Sequence, residues 1–132
     1  MMARLNWQEI LNLSTDQIED LRYTGYAYLR QGRYDVALTF FEALSAVDRD
    51  SAYDCQTIGA IYLEMGQPEN AMKYLEKALK LEADHSPTLL NICKALFMIG
   101  KKNEGLKLAA ILKNEEEPHI SNIAKALILA HS

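Results

Sequence analysis

The residues best suited to chemistry in this chain are two cysteines, three histidines and one acidic run. Cys55 and Cys93 could hold a metal or form a redox pair, and His85, His119 and His131 could act as ligands or as acid–base groups. Neither set has a working spacing. No CxxC, HExxH, P-loop or GxGxxG is present, and the histidines are too scattered for a local metal motif. Each histidine falls near an expected helix end, where a capping or surface role is ordinary. Cys55 and Cys93 fall on expected packing positions and read as buried structural thiols. Glu115, Glu116 and Glu117, followed by Pro118, read as a solvated run that favours the positive end of a following helix. No catalytic residue, metal or cofactor is expected, and we expect no enzyme activity.

With catalysis set aside, the organisation of the chain becomes the informative feature. Gly32, Gly66 and Gly100 stand 34 residues apart. Gly25, Gly59 and Cys93 precede them by seven, with Tyr28, Tyr62 and Leu96 between. After them come Ala37, Ala71 and Gly105, then Phe41, Leu75 and Ala109, then Leu44, Ala78 and Leu112. A period of this length marks a repeat architecture. Gly32, Gly66 and Gly100 sit where a helix must stop and turn, since glycine takes a left-handed C-terminal position at no steric cost. Small residues at 25 and 59 permit close helix approach, and the apolar positions that follow recur at helical spacing. Each unit therefore reads as helix, turn, helix, which cannot bury its apolar stripe without a stacked neighbour.

The expected architecture is an all-α solenoid in one domain over residues 1–132. A short N-terminal helix lies within 4–15, covering about 4–12. Repeat one spans 16–51, with helices near 16–31 and 34–48. Repeat two spans 52–85, with helices near 52–65 and 68–82. Repeat three spans 86–116, with helices near 86–99 and 102–113. A capping helix lies within 117–132, near 119–131, with Ile120, Ile123, Ala124, Leu127 and Ile128 at helical spacing. No alternating strand pattern appears.

These residues resemble the tetratricopeptide repeat family across about 16–113. The resemblance is carried by Leu21, Gly25, Tyr28, Gly32, Ala37 and Phe41, and by Gly59, Tyr62, Gly66, Ala71, Leu75 and Ala78. The third copy departs from it at Cys93, Gly105 and Ala109, where looser packing is expected. The segment from Gly32 through Leu44, ending in Val47 and Asp48, together with Ile58 through Gly66, is similar to the first two repeats of bacterial type III secretion chaperones. That resemblance implies a cytoplasmic chaperone for a needle or translocator subunit. A generic bacterial adaptor or scaffold is the other reading.

In such an array the first helix of each repeat lines a concave groove. The register assigns to it Arg22, Tyr26 and Leu29, then Tyr53, Gln56, Ala60 and Leu63, then Leu90, Lys94 and Phe97. A lining of tyrosines and aliphatics suits an apolar peptide or amphipathic helix of a protein client. Proteins of this kind that clamp a C-terminal carboxylate use lysine, asparagine and arginine at matching positions. Here those positions hold Arg22, Tyr26, Thr57, Pro87 and Asn91, so the clamp is not expected. Trp7, Ile10 and Leu11 form an apolar face that caps repeat one or contacts a second copy or a small co-chaperone.

Composition bounds the partners. The 132 residues are 49% hydrophobic and 24% charged, with a net charge of -4. That is globular, and too acidic for nucleic acid to be the main partner. No apolar run approaches the roughly 18 residues of a membrane span. The N-terminus does not read as a signal peptide, so a cytoplasmic setting is expected.

Overall fold

The computed structural model describes residues 13–132, so the expected N-terminal helix and the Trp7, Ile10 and Leu11 face lie outside the described residues. The described residues form seven helices: α1 Thr15–Arg30, α2 Tyr34–Val47, α3 Ala52–Glu64, α4 Pro68–Leu81, α5 Ser86–Ile99, α6 Lys102–Leu112 and α7 Pro118–His131. No strand occurs among them.

Local chemistry sets the boundaries. Ser14 opens α1 with a reciprocal cap: its hydroxyl accepts from Gln17 N at 3.1 Å, and Gln17 Oε1 accepts from Ser14 N at 2.8 Å. Ser51 caps α3 by accepting from Asp54 N at 3.1 Å. Proline stands in the first two positions of α4, α5 and α7, where its missing N–H has no intrahelical partner to lose. The first helix of every repeat ends alike. Gly32, Gly66 and Gly100 have φ of 74°, 73° and 96°. The next residue's N–H then reaches back to the carbonyl of Tyr28, Tyr62 or Leu96 at 3.0, 2.8 and 2.8 Å.

Within a repeat the two helices meet through a missing side chain. A Cβ on Gly25 would lie 2.9 Å from the Phe41 ring, and one on Gly59 would lie 2.6 Å from Leu75. Phe41 and Leu75 are fully buried in the resulting space. Repeat three achieves the same fit by exchange. Cys93 takes the glycine position and the facing residue shrinks to Ala109, both fully buried. The glycine moves to the second helix, where a Cβ on Gly105 would lie 2.8 Å from Phe97. The Cys93 thiol donates to the Gly105 carbonyl at 3.3 Å. The departures expected to loosen this repeat therefore compensate one another.

Between repeats the core is shared. Ile58 and Ile61 of α3 complete the cluster of Ile18, Ala37, Phe41 and Leu44. Ile92 and Ala95 of α5 join Ala71 and Leu75. Ile120 and Ala124 of α7 join Leu90, Cys93, Ala109 and Leu112. Helix α7 thus closes repeat three as α3 closes repeat one. It does so after a shortened α6, which has 11 residues against 14 in α2 and α4.

The close approach predicts an order of sensitivity. Gly59→Ala forces Leu75 aside and should cost about 1–3 kcal/mol. Gly66→Ala meets no neighbour but places a Cβ on a left-handed residue, costing roughly 1 kcal/mol. Urea titrations of both variants should show Gly59→Ala as the more damaging. The reverse order would show that the α3–α4 contact is not limiting.

Candidate functional site

The first helices α1, α3 and α5 carry the ten residues assigned to the groove, and the structure sorts them into two groups. Positions 22, 56 and 90 each bridge to the following helix of the concave layer, and 56 and 90 also border its open side. Arg22 reaches from α1 to α3: its Nε donates to Asp54 Oδ1 at 2.8 Å and its Nη2 to Asp54 Oδ2 at 2.7 Å. Nη2 also bonds Asp48 Oδ2 at 3.1 Å, and Nη1 pairs with Glu19. Asp54 is fully buried and stands in the first turn of α3, where the helix end favours an anion. The Asp54 carboxylate raises the already high pKa of the guanidinium against the opposing effect of burial. Gln56 is 8% exposed and accepts from Asn91 Nδ2 of α5 at 2.5 Å. Leu90 is 4% exposed and packs with Ile120 and Ala124 of α7.

Positions 29, 63 and 97 behave alike. Leu29 packs on the cluster containing Ile58 and Ile61, and Leu63 on the cluster containing Ile92 and Ala95. Phe97 packs on the cluster containing Ile120, and its ring stacks on His131 at 3.9 Å. These six positions are seam residues first. The physical reason is the narrow stack: packed helices lie about 8–10 Å apart, so a side chain one turn from the concave midline meets the next helix.

Tyr26 is also largely committed. Its ring meets Phe41 edge-on at 4.9 Å. Its hydroxyl lies 3.2 Å from Thr57 Oγ1, whose own proton goes to the Tyr53 carbonyl at 2.9 Å, so Tyr26 is the donor. Burial pushes the Tyr26 phenol up to about 12, keeping it neutral.

Among the described residues a cleft of about 360 Å³ opens between α3, α5 and α7. Tyr53, Gln56 and Ala60 of α3, Pro87, Leu90, Asn91 and Lys94 of α5, the α7 cap Glu117, and His119 and Ile120 of α7 line it. The assigned residues Tyr53, Gln56, Ala60, Leu90 and Lys94 come together here; Arg22, Tyr26, Leu29, Leu63 and Phe97 do not line it. Tyr53 is 51% exposed, with its ring edge-on to His85 at 5.8 Å. Five lining residues were missed. The sequence offers Pro87 and Asn91 only as clamp positions. Glu117, His119 and Ile120 belong to a helix expected only to cap.

The groups singled out for chemistry have structural partners. His85 Nδ1 lies 2.7 Å from Thr88 Oγ1 at the start of α5. Glu117 accepts from His119 N at 3.1 Å and caps α7. Cys55 and Cys93 are free and buried, and burial pushes both thiols up, Cys93 to about 11. Among the described residues no three His, Cys, Asp or Glu side chains gather as a metal site. The cleft offers apolar walls, amide groups, a phenol ring, an imidazole, one ammonium and the helix-capping Glu117 carboxylate, an arrangement for holding a chain segment.

The tetratricopeptide repeat family matches residues 25–52 and 55–85. Those two segments are tetratricopeptide repeats. Superkiller complex protein 3 of Mus musculus is 30% identical over 77 residues, which is 58% of this chain but only 5% of that protein. Among solved structures, the Yersinia enterocolitica type III secretion translocator chaperone SycD superposes with a TM-score of 0.81 at 20% identity, covering 93% of this chain and 96% of that one. SycD in complex with a peptide of the translocator YopD gives 0.78 at 20% identity, over 89% and 94%. The likeness extends the tetratricopeptide fold to α5, α6 and α7, beyond the two matched repeats.

The seam and the thiols each yield a test. Asp54→Ala removes the buried bidentate partner of Arg22, leaving Asp48 and Glu19, and should cost about 2 kcal/mol, while Arg22→Met with Asp54→Leu should recover most of that loss. Urea midpoints of the single and double variants decide it, and equal losses in both would deny the ion pair its place. The raised thiol pKa means the reactive thiolate is scarce below about pH 11 in folded Cys93. Iodoacetamide should therefore label Cys93 slowly at pH 8, faster as the pH rises, and rapidly in urea, as read by mass spectrometry.

Proposed function

We propose that this chain is a non-enzymatic, cytoplasmic chaperone of a type III secretion system, one tetratricopeptide domain that masks an apolar segment of a secreted client. The observation that carries this reading is the open cleft between α3, α5 and α7, in a chain that shares nearly its whole length with SycD. The structure of SycD with a translocator peptide supports a peptide as the occupant. The similarity of Gly32–Leu44 and Ile58–Gly66 to secretion-chaperone repeats adds a sequence argument that does not depend on the fold.

The mechanism follows from burial. A secreted subunit that must later insert or polymerise carries apolar surface that associates prematurely. Covering a few of its side chains with Ala60, Pro87, Leu90 and Ile120 removes that surface from water at roughly 25 cal/mol per Å². Tyr53 supplies a rigid aromatic edge of the kind that anchors interfaces. No nucleotide is needed. Among the described residues no helix is long and apolar enough to cross a membrane.

The match to Superkiller complex protein 3 favours a second reading, an adaptor within a multiprotein assembly. Co-expression separates the two. The chaperone reading expects a stable complex with a needle or translocator subunit encoded beside this gene. Tyr53→Ala should weaken that complex at least tenfold, while Tyr23→Ala, at an exposed α1 tyrosine outside the cleft, should leave it unchanged. Calorimetry on the purified complexes provides the numbers. The chaperone reading fails if no such subunit copurifies, or if both tyrosine variants bind as tightly as wild type.

A further inference from the structure

The charge within the cleft carries a further inference, one that rests on reading the cleft as the client site. Two cations stand on the first helices near the concave side, and their surroundings differ. Arg22 is ion-paired to Asp54, Asp48 and Glu19. Lys94 is half-buried in the cleft wall, and no carboxylate of the described residues lies within ion-pairing distance of it. Glu117 lines the same cleft, but its carboxylate is turned to the His119 N–H as the cap of α7.

Asn91 stands one helical turn before Lys94, on the same face of α5. One of its N–H groups is held by Gln56 Oε1 at 2.5 Å, which fixes the amide in the cleft wall. Its second N–H has no hydrogen-bond partner among the described residues, and Asn91 and Lys94 line the same cleft. Around this pair the lining is apolar, with Ala60, Pro87, Leu90 and Ile120.

An apolar segment docked here would complete the burial of the Lys94 ammonium. Covering an unpaired charge is costly, and a carboxylate on the incoming segment offsets that cost, while an amide does so poorly and a second cation adds to it. We infer that the cleft selects a client segment carrying one aspartate or glutamate among apolar residues, with Lys94 binding the carboxylate and Asn91 donating beside it. The contact is to a side-chain carboxylate within the segment, and its cation, Lys94, lies outside the carboxylate-clamp set, with which it shares only the Asn91 position. The chain's net charge of -4 disfavours acidic segments at long range, so this preference is local to Lys94.

The test uses the full chain and three pools of short fluorescein-labelled peptides. The flanks are randomised among Leu, Ile, Val, Ala and Pro, and the central residue is Glu, Gln or Lys. Fluorescence anisotropy should show the Glu pool binding wild type about tenfold tighter than the Gln pool, with the Lys pool weakest. Added salt should narrow the gap. Lys94→Gln should erase the Glu-over-Gln preference, and Lys94→Glu should invert Glu against Lys. Equal affinity of the Glu and Gln pools for wild type overturns the inference and leaves an apolar groove. Failure of every pool to bind wild type overturns the groove reading itself, and the inference with it. The wild-type comparison alone decides, so a variant that unfolds does not blunt the test.

Discussion

The fold depends on the distance at which two helices of a repeat can meet. At Gly25 and Gly59 a single added carbon would collide with Phe41 or Leu75, so the helix pair is as close as its backbones allow. That closeness lets one large residue fill the interface and lets the next first helix lay Ile58 and Ile61, or Ile92 and Ala95, against it. Repeat three shows that the constraint is one of volume rather than of residue type. Cys93 opposite Ala109 and Gly105 opposite Phe97 redistribute small and large between the two helices and bury both sets. Cores tolerate such exchange when total volume is kept.

Stacking introduces a second interface, and its chemistry changes along the chain. Arg22 and Asp54 join α1 to α3 by a bidentate ion pair, Asn91 donates a hydrogen bond to Gln56 that joins α5 to α3, and Leu90 with Ile120 and Ala124 joins α5 to α7 by apolar contact. A bidentate pair holds its partners in one orientation, whereas apolar contact tolerates sliding. The first seam is therefore the more strictly oriented, and the last has the most room to adjust as a segment enters the cleft beside it.

Among the described residues the fold was legible in the sequence to within a residue or two at each helix end, because its signals are local. A left-handed glycine, a first-turn proline and a serine cap each act through the neighbouring few residues. The groove was legible only in part. Helical register gives a side chain's direction around its own axis, and Tyr53, Ala60 and Lys94 were found that way. It does not give the distance to the next helix, so Arg22 and the 29, 63 and 97 row were read as groove lining though they pack at the seams, while Gln56 and Leu90 serve a seam and the cleft at once. A signal for the first seam was present. Arg22 and Asp54 are opposite charges 32 residues apart, close to one repeat, and a carboxylate on the packing side of α3 requires a partner.

The part of the site with no local signal is the contribution of α7. A 34-residue register carried past α6 would set Ala126 and Leu129 beneath the core, in line with Ile58 and Ile61. Instead Ala124 is fully buried and Leu129 is 80% exposed. The shorter α6 advances α7 by two residues, which brings Ala124 and Leu127 into the places of Ile92 and Ala95. The same shift puts His119 in line with Tyr53 and Pro87 at the cleft edge. A helix that caps the array by burying Ile120 thereby becomes the third wall of the cleft. Capping and binding are two consequences of one shortened helix, so changing the length of α6 would alter both together.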